Sequence, residues 1–172
     1  ISKLNVSQGK PTSTSGDSER PASNGNDGDE NTMWVNNGAG ADKWWQVDLQ
    51  EAYTISDYEL VFEKEESNPW KYKVEASADG ENFDMLSDKT ENTDSAKVQT
   101  GEVSAETKYR YVRVTITGLP AETYWAGFAE FKVYTKDIMS NVAQGKSTSQ
   151  SGGYNSSDLA VDGDVTTFGG NT

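Results

Sequence analysis

The sequence predicts an all-β fold, an antiparallel sandwich or barrel, and three observations carry this prediction. Apolar residues recur at every second position in several short runs, as expected for strands with one buried face. Glycine, asparagine, aspartate and proline separate these runs. No segment shows the 3.6-residue period of a long amphipathic helix. Many short strands joined by turns are typical of sandwiches and barrels.

Five runs supply the predicted strands, in the chain order WWQVDL, YELVF, YKVEAS, RYVRVTI and AEFKVY. The segment SADGENF contains Asp79-Gly80, a pair typical of a tight hairpin turn. Alternation assigns one buried face to each strand: Trp45, Val47 and Leu49; Tyr58, Leu60 and Phe62; Tyr72, Val74 and Ala76; Val112, Val114 and Ile116; and Phe131 and Val133.

The composition excludes several classes of function. The chain of 172 residues is 33% hydrophobic with five tryptophans, which is enough for a core. Its net charge of −13 disfavours nucleic acid and anionic membranes as partners. The absence of cysteine and histidine excludes disulfides, thiol nucleophiles, Ser-His-Asp triads and histidine-ligated zinc.

A long internal repeat predicts the domain organisation. NVSQGKPTSTSG near the start closely matches NVAQGKSTSQSG near the end. We expect a complete domain at 1–136, a linker at 137–140 and the truncated start of a second copy at 141–172. Three outcomes stay open for that second copy: a flexible segment, packing on the first copy, or exchange with a neighbouring molecule.

The acidic segment NGNDGDENTMW has the composition of a metal-binding loop. Its spacing Asp27-x-Asp29-x-Asn31 matches the opening of an EF-hand. An EF-hand is nevertheless excluded, because Thr32 stands where glycine is needed and Gly38 where glutamate is needed. A calcium loop of another kind and a solvated turn without metal both remain open.

A second copy of this acidic element supports the calcium interpretation. It stands in the segment VDGDVTTF, which repeats the pattern with Asp162, Asp164 and Thr167.

The order of the motifs resembles a known family. NVSQGKPTSTSG, NDGDENTMW, WWQVDL, YKVEASADGENF, YRYVRVTI and WAGFAEFKVY follow one another as in the discoidin-like domain, also called the coagulation factor five/eight type C domain. Its bacterial branch is carbohydrate-binding module family 32. The resemblance implies a jelly-roll β-sandwich of the galactose-binding-domain type, with about eight strands and binding loops at one end.

The resemblance also implies a function. We expect a non-catalytic, calcium-stabilised module that directs an extracellular multi-modular glycoside hydrolase or adhesin to a glycan. A structural calcium ion is the implied cofactor. Its implied ligands are the carbonyls of Asn24, Asp29, Thr32 and Ala129, the Thr32 hydroxyl, and the carboxylates of Asp27 and Glu130.

Sugar binding needs an aromatic platform and polar side chains for the hydroxyl groups. Trp125 is the first candidate platform and Trp70 the second, while core or edge packing is an alternative for each. We interpret Trp34, Trp44 and Trp45 as packing residues. The remaining sugar-binding candidates are Glu63 and Lys64, with Glu19 and Asn36 behind them.

This chain departs from the galactose-binding members of the family. They carry histidine and tryptophan where this chain has Val35 and Gly38, so the usual galactose site is incomplete. The strand that ends at Glu63 resembles a branch that binds glucan or amino-sugar chain ends. Glu19 or Asp17 would then be the acidic partner, and a merely solvated acidic loop is the alternative.

Two other classes of function remain as alternatives. A cell-surface adhesion domain would bind a protein or a lipid, although the net charge opposes anionic membranes. A glycosidase would need a pair of carboxylates, and no pair stands in a recognisable catalytic frame. The sequence leaves the oligomeric state open.

Overall fold

The computed structural model describes residues 3–135, in which eleven β-strands provide nearly all of the regular secondary structure. One 3₁₀ turn, Ala22–Asn26, accompanies them. The strands are β1 Leu4–Asn5, β2 Thr12–Thr14, β3 Ser18–Arg20, β4 Trp34–Ala39, β5 Lys43–Val61, β6 Lys71–Ser77, β7 Asp84–Lys89, β8 Val98–Glu102, β9 Lys108–Gly118, β10 Trp125–Phe128 and β11 Glu130–Thr135. The predicted all-β antiparallel sandwich is confirmed.

The long strand β5 connects the two halves of the main sheet. Its first half pairs with β2 and β9, and its second half pairs with β8 and β11. The register with β9 shifts between Asp48 and Tyr53, where Gln50 has φ of 70° and donates its N–H to Asp48 Oδ1 at 2.8 Å. The main sheet has the order β1-β11-β5-β9-β6-β7, and β10, β4 and β3 form a separate three-stranded sheet.

The core lies between these strands and contains the predicted residues. Every side chain that alternation assigned to a buried face is buried. Trp34 and Trp45 are fully buried, as predicted, and both meet Phe128 edge-on with ring centres 5.2 Å apart. Such edge-to-face pairs stabilise a core beyond their buried area. Trp44 points to the opposite face of β5 and is only partly buried.

The turn between β6 and β7 confirms the predicted hairpin. Gly80 has φ of 84°, a conformation that glycine adopts without steric cost. Asp79 Oδ1 accepts the N–H groups of Glu81 and Asn82 at 2.8 and 2.9 Å. The Ser77 hydroxyl donates to the same oxygen at 2.8 Å. The aspartate therefore holds the turn closed.

Strand β11 brings distant segments to one place. β1 pairs with it through Leu4 and Thr135, and β5 pairs with it from Val61 to Ile55. Its first residue, Glu130, thus lies at the end of the β5 pairing. The acidic loop packs near this end, because the 3₁₀ turn contacts β11.

The predicted linker 137–140 and second copy 141–172, including Asp162, Asp164 and Thr167, lie outside the described residues. Within residues 3–135 no helix is long and apolar enough to cross a bilayer.

Candidate functional site

A cleft of about 470 Å³ opens between the three-stranded sheet and two loops. The loops are residues 62–70 after β5 and 119–124 before β10. Five of the predicted sugar-binding residues line this cleft: Glu19, Glu63, Lys64, Trp70 and Trp125. Residues that are distant in the sequence therefore meet at one surface.

Aromatic rings form one wall of the cleft. Trp70 is only 8% exposed and stacks on Phe62, with ring centres 4.9 Å apart and planes 2° apart. Tyr124 tilts against Trp70 with ring centres 6.0 Å apart. Trp125 is 39% exposed, which is high for a tryptophan. Trp70 is thus a packed wall residue, whereas Trp125 offers an accessible ring.

Polar contacts tie the two loops together. The Tyr124 hydroxyl donates to Glu66 Oε1 at 2.9 Å, and this bond raises the pKa of the tyrosine. Asn68 Nδ2 donates to the Pro120 carbonyl at 3.2 Å. The loops on the two sides of the cleft are therefore linked before any ligand arrives.

Four charged side chains of the cleft are available to a ligand. Within residues 3–135, the side chains of Glu19, Arg20, Glu63 and Lys64 form no hydrogen bond or ion pair with the protein. All four are exposed. The cleft thus presents carboxylate acceptors and cationic donors beside an aromatic ring.

Asn36 does not line the cleft, in contrast to the other sugar-binding candidates. It is 2% exposed on β4, and its Nδ2 donates to the Asn37 carbonyl at 3.1 Å. Its Oδ1 atom is buried and has no hydrogen-bond partner in the described part of the chain. This burial argues against direct sugar contact by Asn36, because alternation along β4 turns it to the same side as Trp34.

The sequence reasoning missed Arg20, Tyr124 and Met33, which also line the cleft. Arg20 and Tyr124 each adjoin a predicted residue, and this adjacency was the available signal. The backbone of Gly127 lies against the Trp34 carbonyl, so a side chain at this position would clash with β4. This close approach holds β10, and with it Trp125, at the rim.

The acidic side chains of this loop do not line the cleft, and the loop contacts the start of β11. Glu130 is fully buried, and both of its carboxylate oxygens accept the Gly28 N–H, at 3.2 and 3.1 Å. Burial raises the pKa of Glu130, and the nearby Asp27 carboxylate adds to this effect, while the Gly28 N–H opposes it, so that the pKa is about 7. Thr32 donates its hydroxyl to Asp27 Oδ2 at 2.6 Å and to the Asp29 carbonyl at 3.0 Å.

The other two predicted calcium ligands flank this group. Asn24 closes the loop by donating Nδ2 to the Met33 carbonyl at 3.1 Å. Ala129 is buried beside Glu130. In residues 3–135 no three acidic side chains are grouped to hold a metal. Any ion here would therefore need backbone carbonyls in addition to the two carboxylates.

The family model of the F5/8 type C domain matches residues 8–131. The chain belongs to the F5/8 type C domain family. This match confirms that the order of motifs is that of the discoidin-like domain. A search of curated protein sequences found no match.

Solved structures similar to this F5/8 type C domain include carbohydrate-binding modules. The CpGH89CBM32-4 module of Clostridium perfringens, solved in complex with GlcNAc-α-1,4-galactose, is 26% identical with a TM-score of 0.67, covering 78% of this chain and 96% of that one. The chitosan-binding module 1 of a chitosanase/glucanase from Paenibacillus sp. IK-5 is 24% identical with a TM-score of 0.63, covering 76% and 98%.

A third similar structure is the family 32 module of NanJ from C. perfringens, solved in complex with galactose. It is 23% identical with a TM-score of 0.64, covering 77% of this chain and 99% of that one. At this identity the Paenibacillus and NanJ modules show a shared fold, the predicted galactose-binding type of β-sandwich, and nothing more.

Proposed function

We propose that this F5/8 type C domain is a non-catalytic carbohydrate-binding module that holds a glycan chain end in the cleft beside Trp125. The observation that carries the proposal is an exposed tryptophan beside four charged side chains that have no partner within residues 3–135. The similarity to the C. perfringens module solved with a disaccharide supports it.

The cleft has the chemistry that a pyranose requires. The exposed ring of Trp125 can cover the apolar C–H face of a sugar. Glu19 and Glu63 can each accept hydrogen bonds from two hydroxyl groups, while Arg20 and Lys64 can donate to ring or hydroxyl oxygens. Trp70 stabilises this wall by packing and offers little surface to a sugar, because it stacks on Phe62 and is almost buried.

The acidic residues of the cleft favour an amino sugar, because an ammonium group can pair with a carboxylate. The lining contains Glu19, Glu63 and Glu66 against two cations, Arg20 and Lys64. Glu66 is already occupied by Tyr124, so Glu19 and Glu63 are the carboxylates that would pair with an ammonium or with hydroxyl groups.

Calorimetric titration of the full chain tests the proposal. The ligands are GlcNAc-α-1,4-galactose, galactose, a glucan oligosaccharide and a glucosamine oligosaccharide, with Trp125→Ala as the variant. We expect at least one ligand to bind and the variant to weaken it by about tenfold or more. Tyr134→Ala, an aromatic on β11 that does not line the cleft, is the matched control. Unchanged affinity in Trp125→Ala, or equal loss in both variants, would refute the site.

We further propose that the acidic loop and Glu130 bind calcium as a structural cofactor. The donor set fits a hard divalent cation, because a buried carboxylate lies beside a second carboxylate with the oxygens of Asp29 and Thr32 close by. Such a cation would neutralise the charge that burial makes costly at Glu130. The ion would join the loop to β11.

A thermal melt with calcium or with a chelator tests this cofactor. We expect calcium to raise the midpoint, since a ligand at a hundredfold its Kd adds about 2.7 kcal/mol to stability. Magnesium at the same concentration is the control, because it holds its water shell more firmly. An identical midpoint in calcium and chelator would refute calcium binding.

We also propose that the module is one part of a larger extracellular protein. We propose that residues 1–136 are one complete module of a glycoside hydrolase or adhesin, joined through 137–140 to the start of a second copy at 141–172. Flotation with anionic liposomes distinguishes the adhesion alternative. Co-flotation that survives physiological salt would favour a lipid partner over a glycan.

A further inference from the structure

The outer face of the main sheet holds an arginine between two aromatic rings, away from the cleft. Arg113 lies on β9, and its guanidinium carbon is 4.1 Å from the centre of the Trp44 ring and 4.2 Å from that of Phe83. Trp44 belongs to β5, and Phe83 to the turn after β6. Since β5 and β6 flank β9, the rings approach Arg113 from both sides and fix its guanidinium.

Among residues 3–135 no carboxylate lies within ion-pair distance of this guanidinium, although Glu75 is near enough to act on it electrostatically. Its Nε donates to Gln46 Oε1 at 3.0 Å, an uncharged acceptor. Glu75 lies opposite Arg113 in the strand register, but its carboxylate pairs with Lys73 at 3.6 Å. Within residues 3–135 Arg113 forms no ion pair, although the chain has 28 acidic residues. Its terminal amino groups therefore remain available to an anion from outside.

The surroundings favour a negatively charged ligand at this point. The guanidinium fork matches the two oxygens of a carboxylate, and the rings keep it from turning away. Lys71 adds positive charge on the neighbouring strand β6, whereas Lys73 is paired with Glu75. Partial burial lowers the pKa of Arg113, consistent with a guanidinium that has lost part of its hydration.

An acidic sugar suits this face better than a peptide does. β9 is a central strand whose backbone pairs with β5 on one side and β6 on the other, so a peptide would gain no strand pairing there. A hexuronate carries its carboxylate directly on the pyranose ring. Its C–H groups can then contact the edges of Trp44 and Phe83 while the carboxylate meets the fork of Arg113.

We propose that Arg113, Trp44 and Phe83 form a second site, which binds the carboxylate of an acidic sugar in a glycan. The site is independent of the cleft and of the ligand proposed for it. Engagement of both sites by one polysaccharide would strengthen attachment, because the second contact becomes intramolecular.

Titration of the full chain with tetragalacturonate and with its methyl ester tests this site. The ester keeps the rings and removes the charge. Salt of about 0.15 M screens the repulsion from the net charge beyond about 8 Å. We expect the acid form to bind about tenfold or more tightly than the ester and to shift the Trp44 indole N–H resonance.

Variants identify the residues responsible. Arg113→Gln should lose about tenfold or more in affinity for the acid form, and Arg113→Lys should lose less, since it keeps the charge without the fork. Arg110→Gln is the matched control, because Arg110 lies on the same strand and is already paired with Asp48 at 2.8 Å. Trp125→Ala should leave this binding intact, which separates the site from the cleft.

Several results would overturn the proposal. Equal binding of acid and ester would exclude carboxylate recognition. Retained affinity in Arg113→Gln, or a loss that appears only in Trp125→Ala, would move the ligand to another surface. Equal binding of a capped glutamate-rich peptide would overturn the assignment to a sugar.

Discussion

Replacing Glu130 with glutamine should make the calcium-free protein more stable at neutral and alkaline pH. The folded carboxyl has its pKa raised by burial from 4.5 to about 7. Between these values the folded protein keeps the proton and the unfolded chain loses it, so the stability from this group falls as pH rises. It is fully present below about pH 4.5 and lost once pH passes about 7. Glutamine imitates the protonated form and avoids this loss.

The size of the effect follows from the two pKa values. One pKa unit corresponds to about 1.4 kcal/mol, which gives an upper bound of about 3 kcal/mol. Asp27 beside Glu130 is exposed, so water screens part of the repulsion between the two carboxylates. We therefore expect Glu130→Gln to be more stable by about 1–3 kcal/mol at pH 8. Denaturant unfolding of both proteins in excess chelator, at several pH values from 5 to 8, measures the difference.

In the presence of calcium the native protein should be more stable than Glu130→Gln. The native protein should gain stability from the ion, while Glu130→Gln should gain little, because a neutral amide is a poorer ligand than a carboxylate. Glu91→Gln changes an exposed glutamate and is the control, for which we expect no pH-dependent difference. A Glu130→Gln difference that stays constant from pH 5 to 8, or equal stabilisation of both proteins by calcium, would refute the reasoning.

Three further predictions concern packing and the hairpin. Phe131→Ala should cost about 3–5 kcal/mol in denaturant unfolding, because the fully buried ring touches Tyr58 and two other aromatics. Gly101→Ala should cost about 1–3 kcal/mol, because its methyl group would clash with the Tyr58 ring. Asp79→Ala should lower the melting midpoint at pH 7 and flatten acid unfolding. Hydrogen bonds hold the pKa of Asp79 well below its usual range, so its contribution is lost as pH falls below about 4.

The fold was largely predictable because alternation is a strong signal wherever one face of a strand is buried. Trp45, Val47 and Leu49 illustrate this, since a one-residue error would have turned all three to solvent. The number of strands was less predictable. β1, β2 and β3 have only two or three residues each, too few to show a period. WWQVDL and YELVF were read as two strands, whereas the bend at Gln50 keeps both within β5.

The candidate cleft was partly predictable from residue type. Glu63 and Trp125 were predicted to bind sugar because they are charged and aromatic residues in expected loops, and both line the cleft. The stacking of Trp70 on Phe62 could not be predicted from the sequence, because it depends on where the loop returns to the sheet. The position of Arg113 between two aromatic rings was not predictable for a similar reason. Its neighbours come from β5 and from a turn, and only the strand order brings them together.

The pairing of β1 with β11 has a consequence for how the domain is made. Leu4 meets Thr135, so the sheet cannot be completed until nearly the whole domain has left the ribosome. Contacts this distant in sequence are slow to form, because a long loop must close first. The acidic loop also depends on β11, because the hydrogen bond from the Gly28 N–H to Glu130 cannot form before Glu130 has been synthesised. During synthesis β1 therefore stays unpaired until β11 is made, whereas β2 and β3 can pair earlier with β5 and β4.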